Sequence, residues 1–101
     1  MDAAGPVVYE VTAEVAPARR AAYESYMRGH VTDVLATGAF VGATLERADA
    51  GFYRVRYVAR DRAALDWYLA ERSPALRADF ARHFPDGVTL AREMLEVLVR
   101  W

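Results

Sequence analysis

Between Val7 and Val15, apolar and polar positions alternate. Val7, Tyr9, Val11, Ala13 and Val15 fall on one side and Val8, Glu10, Thr12 and Glu14 on the other, the period of two that marks a strand with one covered face. Pro17 then stands where a first helical turn tolerates a missing N–H, and helix formers dominate from Ala18 onward. Tyr23, Tyr26, Met27, His30, Val31 and Val34 recur at three- and four-residue steps, while Arg20, Glu24 and Arg28 line a second, wet side. Gly29 inside this helix costs about 1 kcal/mol relative to alanine, so its presence predicts a bend or a close approach there. Gly38 marks the C-terminal stop.

Phe40 to Arg47 and Phe52 to Arg60 are two further alternating runs, joined by Ala48-Asp49-Ala50-Gly51, whose glycine can supply a positive φ. Asp61 suits an N-cap for a second helix carrying Leu65, Tyr68 and Leu69, and Pro74 predicts a break or kink in it. Leu76, Phe80, His83 and Phe84 resume the helical spacing, and Pro85-Asp86-Gly87 turns the chain. The last strand is expected over Val88 to Val99. Its two sides are ambiguous, because Leu90 and Met94 share a side with Arg92 and Glu96, whereas Ala91, Leu95 and Val97 share the other with Glu93. The expectation adopted is that Arg92 faces away from the helices.

The order β-α-β-β-α-β predicts an α+β, ferredoxin-like sandwich, with residues 1–101 forming one domain. Right-handed crossovers place strands one and three at the centre of a four-stranded antiparallel sheet, with both helices on one face. The other face is bare. On it the alternation sets Val8, Glu10, Thr12 and Glu14, then Phe40 and Thr44, then Phe52, Arg54, Arg56 and Val58, and with them Arg92, Met94 and Glu96.

Composition narrows the chemistry. Thirteen arginines oppose 14 acids for a net charge of -1, so no cationic excess is available to neutralise phosphates, and nucleic acid is not an expected partner. There is no cysteine, which removes disulfides, thiol nucleophiles and thiolate metal sites, and no lysine, asparagine or glutamine, which removes Schiff bases and amide oxyanion donors. No cofactor and no metal are called for. Met1 to Pro6 lacks the charge pattern of a signal peptide, and no uncharged run approaches the roughly 20 residues of a membrane span, so the expectation is a cytoplasmic chain without a membrane partner.

The stretch from Tyr26 to Phe40 runs from an aromatic-rich helix into His30, an acidic-aliphatic turn at Asp33-Val34, and then Leu35-Ala36-Thr37-Gly38-Ala39-Phe40. It resembles the signature of the family known as domain of unknown function 4286. Ser73-Pro74-Ala75-Leu76-Arg77-Ala78-Asp79, then Phe84, then Arg92-Glu93-Met94-Leu95-Glu96 resemble that family's second helix and last strand, so the likeness spans nearly the whole chain. The resemblance implies a ferredoxin-like member of the dimeric α/β-barrel class, in which two bare sheet faces close on each other as a homodimer. It implies no established activity. Relatives of that class include cofactor-independent monooxygenases, muconolactone-type isomerases, polyketide cyclases and haem-degrading enzymes, along with members that only bind.

Two sets of residues carry candidate chemistry. His30 titrates near neutral pH and is the candidate catalytic acid or base, although its apolar stripe equally suits a core histidine satisfied by a carbonyl or carboxylate. His83, near a helix C-terminus, is explained by the macrodipole and the last carbonyls. The second set is the charged group on the bare face: Arg54, Arg56, Arg92 and Glu10, with Phe40 as an apolar wall, are the candidate ligand-binding residues. Exposed, they form ordinary cross-strand pairs. Enclosed in a dimer, an unmatched arginine becomes a site for an anion. Three functions stay open: a homodimer holding a small anionic or aromatic organic molecule, a cofactor-independent enzyme using His30, and a purely structural dimerisation module.

Overall fold

The computed structural model describes residues 5–101. The elements run in the order β1 (Val7–Val15), α1 (Arg20–Ala36), β2 (Phe40–Arg47), β3 (Phe52–Ala59), α2 (Arg62–Glu71), α3 (Ser73–His83) and β4 (Val88–Glu96). The sheet is antiparallel throughout in the order β2-β3-β1-β4, with β1 and β3 at its centre as the crossover rule requires. This is the ferredoxin-like α+β sandwich. No helix among the described residues is long and apolar enough to cross a membrane.

Local chemistry accounts for the element ends. A 3-10 turn over Pro17–Arg19 leads into α1, and Gly38 stops that helix at φ 84°. Asp61 caps α2 by accepting the Ala64 N–H at 2.8 Å. Pro74 divides the second helical stretch in two: Arg72 departs to φ -119°, and Ser73 and Pro74 open α3 as a separate helix. Ala50 and Gly51 turn the β2–β3 hairpin at φ 62° and 79°. A Cβ at Gly51 would land on the Arg20 guanidinium and push it off its bonds to the Val15 and Ala50 carbonyls, and the positive φ itself favours glycine.

Of the two expectations for Gly29, the close approach is not met: α1 runs on through it, and a Cβ there would meet nothing within 4 Å. The last strand also ends earlier than the alternation predicts. It stops at Glu96, opposite Val7, because β1 offers no further residue to pair beyond a single Val97 N–H to Pro6 carbonyl bond at 3.4 Å.

Cross-strand register decides the faces, since directly paired residues share one. Val7, Tyr9, Val11, Ala13 and Val15 lie under the helices with Tyr53, Val55, Tyr57 and Ala59, and Tyr23, Val34, Val55 and Leu65 are sealed in the core. Two expectations about faces are corrected. Phe40 pairs with Ala59 and is buried on the helix side, 4.9 Å from Tyr68 and 5.1 Å from Tyr57 between ring centroids. A register shift between Phe40 and Gly42 sets the successive helix-side residues Phe40 and Ala43 three positions apart instead of two, so simple alternation from Thr44 misplaces Phe40. Arg92 pairs with Val11, and with it Val88, Leu90, Met94 and Glu96 take the helix side of β4. Because β4 is an edge strand, Arg92 is on that side and still exposed to solvent.

Candidate functional site

The helix side holds a cavity of about 200 Å³ between the sheet and the helices. Tyr9 and Val11 of β1, Tyr57 of β3, and Leu90 and Arg92 of β4 form its floor. Tyr23, Met27 and His30 line it from α1, at the seven-residue spacing that keeps Tyr23 and His30 on one helix face. Tyr68 of α2 and Leu76, Arg77 and Phe80 of α3 complete the wall. The walls are mostly apolar and aromatic, with a few convergent polar groups.

Of the residues singled out from sequence, His30 and Arg92 meet in this cavity. Arg54, Arg56 and Glu10 do not. They lie on the opposite face of the sheet, where Glu10 sits 3.3 Å from Arg56 and 3.8 Å from Arg54, and Arg54 reaches Glu46 at 3.9 Å. That face carries Glu10, Glu14, Glu46 and Glu93 against two arginines, so its arginines are outnumbered by carboxylates rather than left unmatched. Phe40 stands behind the cavity, stacked on Tyr9 at 6.4 Å.

His30 belongs to a chain of polar contacts that spacing did not disclose. The Tyr26 hydroxyl donates to Asp79 at 2.6 Å and lies 3.5 Å from His30 Nδ1, the long limit of a hydrogen bond. A phenol has one proton, and here it is committed to Asp79, so the Tyr26 oxygen can only accept from His30. The Nδ1–H form of the neutral His30 ring satisfies this contact and leaves the lone pair on Nε2. Burial lowers the His30 pKa below its ordinary value, opposed by the charges of Asp33 and Asp79. His83 closes the cluster, its ring 4.6 Å from that of Tyr26 and its Nδ1 donating to the Asp79 carbonyl at 2.9 Å, as expected for a histidine at a helix C-terminus.

Three tyrosines of the cavity are held neutral. Burial pushes Tyr23 and Tyr57 well above the ordinary phenol range and Tyr68 up to about 12. Tyr23 has a buried hydroxyl with no hydrogen-bond partner. At the exposed edge, Arg77 touches the Tyr9 hydroxyl at 3.5 Å, and neither Arg77 nor Arg92 forms an ion pair among the described residues. Among the described residues no cluster of three His, Asp or Glu side chains is placed to hold a metal.

The sequence reading missed Tyr23, Tyr26, Arg77 and Asp79 as site residues. Tyr26 and His30 were visible as an i,i+4 pair, but nothing in the spacing joins them to Asp79, 53 positions from Tyr26.

The model of the family Domain of unknown function (DUF4286) matches residues 6–98. The chain belongs to this family. No curated protein sequence matches it. Among solved structures, this DUF4286 member is similar to SnoaB, a cofactor-independent oxygenase from Streptomyces nogalater, at 21% identity and TM-score 0.74, covering 96% of this chain and 97% of that one. It is similar as well to a putative antibiotic biosynthesis monooxygenase from Caulobacter crescentus, at 20% identity and TM-score 0.72, over 96% and 93% of the two chains. A conserved protein of unknown function from Bacteroides thetaiotaomicron, described as a possible oxidoreductase, matches at 10% identity and TM-score 0.76, over 94% and 100%. At such identities the likeness is one of fold.

Proposed function

We propose that this DUF4286 member binds a small anionic or aromatic organic molecule in the cavity between sheet and helices. The observation that carries this is the convergence of His30 with Arg77 and Arg92, two arginines without a carboxylate partner among the described residues, on one cavity of about 200 Å³. Such a mouth favours a carboxylate or enolate, which a guanidinium holds through paired N–H donors. A ligand-detected NMR screen of small acids and aromatics tests it. Hits should move the His30 ring signals and weaken at least tenfold in an Arg77→Ala/Arg92→Ala double variant; hits that leave His30 unmoved contradict it.

A specific observation favours a second reading, in which the bound molecule is also transformed without a cofactor. A histidine kept neutral by burial, with Nδ1 engaged by Tyr26 and Nε2 free, has the state a general base needs near pH 7. SnoaB is a cofactor-independent oxygenase of the same fold, which makes proton abstraction from an acidic C–H or O–H the step to test.

The bare face is the proposed contact with a second copy of the chain. Phe52 and Leu95 stand exposed at its two ends, with the Glu10, Arg54 and Arg56 ladder between them. In this arrangement Glu10, Arg54 and Arg56 serve the interface, and the ligand sits on the far side of the sheet.

A further inference from the structure

We infer that the ligand of this cavity is a single-ring acid carrying a second oxygen, which its Tyr23 hydroxyl binds inside while Arg77 and Arg92 hold the acid group at the mouth. This rests on the sheet–helix site proposed above and specifies its ligand.

Size comes first. A cavity of about 200 Å³ lies below the roughly 300–1,000 Å³ of pockets that take drug-sized ligands, which suits one ring with small substituents. A three-ring acid belongs to the size class that this volume disfavours.

Tyr23 supplies the second constraint. It is fully buried, it lines the cavity, and its hydroxyl is the one buried side-chain polar atom without a partner among the described residues. An orphaned buried hydroxyl is uncommon, because a phenylalanine would fill the same space without the desolvation penalty. Its neighbours do not need it: Tyr53, 4.8 Å away between ring centroids, already donates to Glu24 at 2.6 Å. Burial keeps the Tyr23 hydroxyl protonated, so it is a neutral donor and suits a carbonyl, phenol or enol oxygen rather than a cation.

The mouth gives the third. Arg77 and Arg92 come from different elements and are both solvent-exposed, whereas Tyr23 is buried, so the exposed side of the cavity is cationic. Between them Met27, Leu76 and Phe80 offer apolar surface for the ring.

Calorimetric titration of the full chain with four probes tests this: 4-hydroxybenzoate, benzoate, phenol and anthracene-2-carboxylate. 4-Hydroxybenzoate should bind about three- to tenfold more tightly than benzoate, the worth of one hydrogen bond to a buried neutral donor. In Tyr23→Phe that advantage should vanish, while the unliganded protein melts at a higher temperature, which shows the variant folded. Phenol should bind more weakly than either acid, and anthracene-2-carboxylate not at all. Equal affinity for benzoate and 4-hydroxybenzoate, or an advantage that survives Tyr23→Phe, overturns the second-oxygen assignment while leaving the cavity as a site. Binding of phenol but of neither acid overturns the acid class alone. Binding of none of the four, or an undiminished response in Arg77→Ala/Arg92→Ala, overturns the inference together with the site it rests on.

Discussion

The Tyr26 hydroxyl lies 2.6 Å from a carboxylate oxygen of Asp79, and this bond joins α1 to α3 directly beside His30. It is the leading cause of the lowered Asp79 pKa, and by committing the Tyr26 proton to Asp79 it favours the Nδ1–H form of His30. In Tyr26→Phe the Asp79 pKa should rise toward its ordinary value, and the His30 ring should lose its preference for the Nδ1–H form. Side-chain 15N shifts of His30 report the second change; an unaltered tautomer in the variant would show that Tyr26 does not set it.

His30 also makes stability depend on pH. Its folded pKa is lowered by burial below the ordinary value of 6.5, so the unfolded chain takes up a proton before the folded chain does. Its contribution is complete above about pH 6.5 and is lost as pH falls from there through the folded pKa. Denaturant unfolding from pH 8 to pH 5 should show stability falling below about pH 6.5, with a shallower fall in His30→Phe. A profile of the same slope in both proteins would place the titration elsewhere.

Two glycines should respond in opposite directions. Gly29→Ala adds a methyl into open space within a helix and should stabilise by about 0.5–1 kcal/mol. Gly51→Ala forces a Cβ onto the Arg20 guanidinium at a φ of 79°, and should destabilise by more than about 1 kcal/mol. Urea midpoints of the two variants read both effects.

Sedimentation at micromolar concentration should give twice the 11.3 kDa chain mass if the bare face meets a second copy. Phe52→Glu with Leu95→Glu adds two carboxylates to a face already rich in them and should yield the single chain with an unchanged circular dichroism spectrum. Glu10→Gln should cost less than about 1 kcal/mol where its pairs with Arg54 and Arg56 stay in water, and more once a partner covers them.

What could be read from the sequence follows its contrasts. Strand β1 was legible because its two sides differ in polarity at nearly every step, and Asp61, Gly38 and Pro74 announced their turns and breaks by chemistry alone. Strand β4 was not, because Arg92 and Glu96 share a side with Leu90 and Met94; the pairing of Val88 with Val15 decides, and pairing is a long-range fact. Phe40 was misplaced by an irregularity that has no sequence mark of its own. His30 was found by residue type, whereas Arg77, Asp79 and the orphaned Tyr23 hydroxyl became meaningful only once α1, α3 and the sheet were in one frame.

A crystal structure of the protein with 4-hydroxybenzoate tests the central claim most directly. The ring should lie between sheet and helices, within contact of His30 and Met27, its carboxylate toward Arg77 and Arg92. A ligand found instead on the opposite face of the sheet, against Arg54 and Arg56, would contradict it.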